Sequence, residues 1–354
     1  MTGFRSYLMP LFWILTGCRP EGFDAKAWNP PHNPGLLTTL PPNQDLVKAD
    51  VVGRGTWDAP EDIALDGSGL IYAGSASGRI QRFQEGNPAE LFVTLPGQVL
   101  GLDFDAVGNL YACVDRSGLW RVNPEGRAEL VVESHAGRKL GLVDDVKVGA
   151  DGLVYFSEAT SKYFMDTHVR DVLEGFENGT LFRFDPARKS TEVLVDQLGF
   201  ANGVAVAPDA SYVLVSETSR YRIRKVWLTG PEAGKNIIFM DNLPGFPDGL
   251  SRMTNGKYWV AFISPRNTLL DTLHSRPFFK NFIAGLPDSL LPKDKPYGLI
   301  AAFNDQGHWL QSLHDPNGQV VPGITSVEEK DGKLWLGSLY GKALYSITPR
   351  AVLK

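Results

Sequence analysis

The sequence predicts an all-β fold, a six-bladed β-propeller with four-stranded blades around a central metal-binding tunnel. Two observations carry the fold. The first is composition: 37 Gly and 24 Pro accompany 8 Trp, 11 Tyr and 19 Phe in 354 residues, a mixture that favours many short strands and turns over long helices. The second is a repeat. Six times the chain runs through an apolar–x–apolar core, a turn and a second apolar run, with cores beginning at Ile63, Leu102, Val146, Val204, Leu250 and Val327. Units of about 40–60 residues with several short strands each are the arithmetic of propeller blades.

In chain order, residues 1–18 read as an export signal. Arg5 precedes a short apolar run from Tyr7 to Leu15, too short for the ~20 residues that span a bilayer. Leu15-Thr16-Gly17-Cys18 is similar to a bacterial lipobox, with Cys18 as the lipidated residue. The expected location is therefore exported, and periplasmic or membrane-anchored if the source is bacterial. Residues 19–57 form a Pro-rich leader, with room for an edge strand. The propeller is expected over 58–349.

Within it, Gly69, Gly108, Gly152, Ala210 and Gly256 follow the first five cores by six residues, and Gly332 follows the sixth by five. Tyr72, Tyr111, Tyr155, Val213, Trp259 and Trp335 then open the second runs. Alternation of period two around such turns is a hairpin signal. Separate hairpins would leave every apolar face uncovered, so closure into a ring is favoured. Insertions at 162–178 and 266–296 interrupt two blades. The second carries apolar residues at helical spacing, which suits a lid, a membrane-facing helix or a helix packed on a blade edge.

The charge balance excludes one class of partner. With 35 Lys+Arg against 40 Asp+Glu and a net charge of −5, no basic excess exists to neutralise phosphates, so no nucleic acid is expected. Two cysteines, Cys18 and Cys113, make no disulfide framework. The five histidines between His135 and His314 show no metal spacing.

One column through the repeats is more informative. Two residues before each core stand Glu61, Leu100, Asp144, Asn202, Asp248 and Thr325. Equivalent positions in a propeller lie at one height around the axis, so these side chains should converge. Four offer carboxylate or amide oxygen, and none offers the nitrogen or sulfur that suits zinc. Hard oxygen donors around one point favour Ca²⁺ over the more demanding Mg²⁺. The plain alternative is turn capping, which Asn202-Gly203 or Asp248-Gly249 alone would satisfy.

The segments Pro60-Glu61-Asp62-Ile63-Ala64-Leu65-Asp66, Phe200-Ala201-Asn202-Gly203-Val204, Pro244-Gly245-Phe246-Pro247-Asp248-Gly249 and Leu313-His314-Asp315-Pro316-Asn317-Gly318 resemble the strictosidine synthase-like proteins. Within them the chain is similar to the branch of the adipocyte plasma membrane-associated proteins, a relative of paraoxonases and SMP-30/gluconolactonases. The resemblance implies a calcium held by Glu61, Asp144, Asn202 and Asp248, with Asp144 standing where the hydrolytic branches have Asn. It implies a possible second calcium at Asp62 and Asp145, for which turn capping is the alternative. It also implies a catalytic role for Asp248 as nucleophile or water-activating base. Leu100 stands where paraoxonases have a catalytic His, and Thr325 where strictosidine synthase has its catalytic Glu, so a condensing activity is not expected.

The expected function is a calcium-dependent hydrolase of lactones or aryl esters acting on a small-molecule substrate, with Leu100 and Thr325 in its pocket. The rival is a non-catalytic, calcium-stabilised propeller that binds a ligand or a protein. Membrane association is expected through the N-terminus or the 266–296 insertion.

Overall fold

Period-two alternation around the repeated turns folds as antiparallel hairpins, each extended by two further strands into a four-stranded sheet. The computed structural model describes residues 20–286 and 296–350. The innermost strands are Ile63–Leu65, Val99–Phe104, Leu142–Val148, Ala201–Val206, Gly245–Leu250 and Ile324–Lys330. Six sheets follow one another in chain order, and the last is closed from the other end of the chain. There Asp50–Val52 pairs antiparallel with Leu344–Ile347, Asp50 opposite Ser346. The leader thus supplies the outer strand of blade six, and the ring begins at Asp50, earlier than residue 58. The expected signal and Cys18 lie outside the described residues, as does the end of the second insertion.

The recurring second-strand aromatics hold neighbouring blades together. Tyr72 packs with Leu102 and Leu110 of the next blade, Tyr111 with Val146 and Phe156, and Tyr155 with Val204. Trp259 reaches Val327, and Trp335 closes the circle on Ile63. Where blade four has Val213 instead, its neighbour Tyr212 bridges, its hydroxyl 3.0 Å from that of Tyr258. Each such ring removes apolar area from both blades at once, which favours closure by about 1.5–3 kcal/mol per side chain.

Near the axis, carboxylates do the same work. Asp62 accepts the Leu102 N–H at 2.8 Å, Asp103 the Val148 N–H at 2.6 Å and Asp145 the Val204 N–H at 2.7 Å. Each satisfies a backbone donor on the inner strand of the following blade.

Both insertions are helical and cover the same end of the ring. Helix α1 (His168–Glu174) rises from blade three and ends at Gly175, whose φ of 77° suits only a residue without Cβ. Helices α2 (Thr268–His274) and α3 (Pro277–Ala284) rise from blade five. Asn267 caps α2 through its Oδ1, which accepts the N–H groups of Leu269 and Leu270. The leader runs between them. Lys26 N donates to the Glu174 carbonyl and Trp28 N to that of His274, both at 2.9 Å, while Phe23 is buried against Leu173 and Ala284. Among the described residues no helix is long and apolar enough to cross a membrane. Cys113 is a buried, unpaired thiol in blade two.

Candidate functional site

The inner strands of blades two to six share an irregularity. Pairing breaks between Val99 and Leu102, Val143 and Val146, Ala201 and Val204, Pro247 and Leu250, and Ile324 and Ser326. Leu100, Asp144, Asn202, Asp248 and Thr325 each lie inside such a break. A bulge removes a residue from the ladder and re-aims its side chain. Glu61 occupies the same place just before the short inner strand of blade one. Tight glycine packing lets the strands meet there: a Cβ on Gly203 would stand 2.3 Å from the Asp248 carbonyl oxygen.

All six residues line one cavity of about 170 Å³. The column read from spacing alone is therefore one site. Glu61, Asp144, Asn202 and Asp248 are between 5% and 7% exposed, so their charges are poorly screened. Burial, then the charges of Asp144 and Asp248, hold the Glu61 carboxyl well above the usual range. Burial and then Asp145 raise Asp144, and burial and then Asp144 raise Asp248. Asp248 Oδ1 is buried without a hydrogen-bond partner. An orphaned carboxylate oxygen among crowded oxygen donors fits a hard divalent cation, which would supply the missing partner and positive charge. The cluster is open as it stands: among the described residues no three His, Cys, Asp or Glu side chains form a ready-made metal cage.

The two remaining column residues are silent in acid–base terms. Leu100 is apolar and fully packed. Thr325 turns its hydroxyl away to the Glu61 carbonyl, 2.6 Å distant. Above this polar floor the walls are apolar. Phe200 and Phe246 come from the blades, Leu173 from α1, and Leu270 and Leu273 from α2. The insertions thus roof the cavity, which settles the choice between a lid and a helix packed only on a blade edge.

His168, at the start of α1, also lines the cavity. Its Nδ1 lies 2.6 Å from the Met165 carbonyl, which fixes the proton there. Burial lowers its pKa, so the ring enters the cavity wall neutral. No spacing rule ties a helix inside an insertion to the axis, so nothing in the residue pattern signals this placement. His314 lies apart from the cavity. Its ring bonds the Tyr297 hydroxyl at 3.0 Å and the Ser312 hydroxyl at 2.9 Å.

The second-calcium expectation at Asp62 and Asp145 does not fit. Both carboxylates staple neighbouring blades, and Asp145 Oδ1 also accepts its own chain's Val146 N–H at 2.7 Å. A cation is already between them. Lys147 Nζ lies 3.4 Å from Asp145 Oδ1, 3.8 Å from Asp62 Oδ2 and 3.3 Å from Glu328 Oε1. Burial alone would lower the Lys147 pKa, but Asp145, Asp62 and Glu328 together hold it above the usual lysine range.

Comparison with known proteins agrees with this architecture. Residues 39–83 match the family model for the strictosidine synthase-like N-terminal region, and residues 144–231 that for strictosidine synthase. The adipocyte plasma membrane-associated protein of Rattus norvegicus is 33% identical over 342 residues, 90% of this chain and 89% of that protein. Strictosidine synthase-like protein 10 of Arabidopsis thaliana is 32% identical over 82% of this chain and 85% of its own length. Among solved structures, a gluconolactonase from Xanthomonas campestris superposes with a TM-score of 0.59 at 18% identity, covering 93% of this chain and 98% of its own. Regucalcin from Agrobacterium tumefaciens, a calcium-binding protein, also reaches 0.59, at 12% identity over 84% and 92%. At those identities the likeness shows the six-bladed fold.

Proposed function

The chain belongs to the strictosidine synthase-like family, in the branch of the adipocyte plasma membrane-associated proteins, and from that premise we propose that it is a calcium-dependent hydrolase of lactones or aryl esters. The carrying observation is the floor of the cavity, where Glu61, Asp144, Asn202 and Asp248 converge from four blades beneath apolar walls. These four side chains would hold the ion. When bound, calcium supplies a Lewis acid for the carbonyl or phosphoryl oxygen of a substrate. The chain's own residues do the rest. The apolar roof orients the acyl or aryl part and excludes bulk water. Asp248 takes a proton from the water that attacks the carbonyl carbon and returns it to the departing alkoxide or phenoxide. The structural kinship with a gluconolactonase supports this reading at the level of fold.

Chelator-treated protein should melt lower and lose phenyl acetate and lactone hydrolysis, and added calcium should restore both. Unchanged melting and turnover after chelation would defeat the proposal. Thr325 favours one alternative: because its hydroxyl is spent on the Glu61 carbonyl, the column provides no acid–base group at that position. A calcium-stabilised binding propeller would then show the calcium-dependent melting without turnover on any substrate. The same observation weighs against a condensing enzyme.

The proposal extends to location. Relatives in this branch carry a name that places them at the plasma membrane. In this chain Leu269, Phe278 and Phe279 are about half exposed on the roof helices, a face suited to a lipid surface. Phosphatidylcholine vesicles should retain the protein in flotation, and Phe278→Ser/Phe279→Ser should release most of it; equal retention of both proteins speaks against this surface.

A further inference from the structure

Below the cavity floor the axis carries a second tier. Three residues beyond each column position stand Ala64, Asp103, Lys147, Ala205, Ser251 and Glu328. Three of these are small and three are charged. Arg252 pairs with Asp103 and donates to the Val148 carbonyl at 3.1 Å, so that carboxylate is already matched. Lys147 is left to face Glu328 together with Asp62 and Asp145 from the floor above. It is only 2% exposed. A small chamber lined by Asp62, Asp145, Lys147 and Glu328, and also by Glu61 and Asn202 of the floor, surrounds it.

We propose that the Lys147 ammonium is the resident cation of this chamber, standing where a second divalent ion would otherwise bind. The donors present match an ammonium better than a metal. Asp62 Oδ2 and both oxygens of Asp145 each accept one backbone N–H, and the ammonium fills the space between them and Glu328, so wild type has no room for an ion and the waters that would complete the six to eight oxygens calcium takes. An ammonium needs only three acceptors, and three carboxylates stand within 3.3–3.8 Å of it. The cation is also covalently supplied, so it cannot be lost by chelation. This chamber therefore holds no exchangeable metal. The chain's lower axis keeps this one built-in positive charge at any calcium concentration, and calcium dependence is confined to the cavity floor.

Deleting the ammonium should convert the chamber into a true metal site. In Lys147→Ala the chamber keeps three carboxylates and gains room for an ion and its waters. Calcium bound per chain, measured by elemental analysis after equilibrium dialysis, should rise by one over wild type. In chelator the variant should melt about 5–10 °C below wild type, since an unpaired buried charge cluster is strongly destabilising, and millimolar calcium should recover most of that difference. Lys147→Arg, which keeps the charge, should show no gain. If Lys147→Ala does not fold, Lys147→Ala/Glu328→Gln balances the lost charge, and the added ion is counted there. Two calcium ions on wild type, or no difference between wild type and the alanine variants, would overturn the proposal. No calcium on wild type would defeat the proposed ion at Glu61 and Asp248 instead, and a gain of one in the variant would still uphold Lys147 as the resident cation.

Discussion

Asp248→Asn lowers the hydrolysis of phenyl acetate and lactones by at least about 100-fold, because the amide cannot take the proton of the attacking water. The same substitution has a second effect of opposite sign on stability. In chelator, wild type buries Glu61, Asp144 and Asp248 together; burial raises the proton affinity of all three, Asp144 and Asp248 raise that of Glu61 further, and Asp144 that of Asp248. Replacing one carboxylate by a neutral isostere relieves that repulsion by on the order of 1–2 kcal/mol, so metal-free Asp248→Asn melts about 2–4 °C above metal-free wild type. In saturating calcium the order reverses, since the variant has lost a ligand. The gain in chelator grows with pH: a carboxyl whose folded pKa is raised destabilises progressively as pH climbs above its ordinary range, and the amide removes that penalty. Thermal melts with and without calcium across pH 5–8 check this. A metal-free variant that melts below wild type throughout would show that the trio is not strained.

The second large effect is structural. Glu217 is fully buried at the end of the second strand of blade four. Its Oε1 lies 2.7 Å from Arg222 Nε and 2.9 Å from Arg224 Nε, and its Oε2 accepts Arg222 Nη2 at 2.8 Å and the Gly199 N–H at 2.9 Å. Glu217→Ala strands two arginines beside a buried backbone donor and should destabilise by about 3–5 kcal/mol in urea titrations. Acid acts on the same group. Burial pulls its pKa upward, but Arg222, Gly199 and Arg224 together bring it below the ordinary value of 4.5. Its contribution is complete above pH 4.5 and is lost as pH falls through the folded value. The alanine variant should therefore show a weaker loss of stability below pH 4.5 than wild type. A cost under about 1 kcal/mol at neutral pH would mean that the network is not needed. Thr218, the next residue, lines the cavity, so the variant should also loosen that wall.

The ring and its polar floor were legible because a repeat samples the same environment six times. Asn202 or Asp248 alone reads as a turn; aligned with Glu61 and Asp144 at one offset from each core, they mark a common height on the axis. Lys147 stands one tier further in the same repeat, but its flanks Val146 and Val148 make it look like an alternating strand residue facing solvent. What faces it comes from blades one, three and six, and a single unit contains no trace of that. The placement of His168 and of helix α1 escaped for a different reason. Insertions break the repeat, and where a helix comes to rest depends on packing against α3 and the leader, partners far away in sequence. The closing strand Asp50–Val52 shows the same limit: nothing in its three residues names Leu344–Ile347 as the mate.

The course of the leader has a mechanical consequence. From Phe23 to Trp28 it is bonded to the last residues of α1 and α2 and wedged against α3, and only later does it hydrogen-bond to a blade strand, first through the Asn43 side chain on Ser312 and His314 and then as the strand from Asp50. A pull on the chain upstream of Phe23 therefore loads the roof before it loads the ring. Each of the six sheets is held by three ladders of backbone hydrogen bonds, whereas the roof is held to the leader by a few backbone bonds, the Lys162 and Lys280 ammonium groups on leader carbonyls and one small apolar cluster. Under tension the roof is the weaker element and yields first, so a handle placed at the N-terminus would act as a latch on the cavity below.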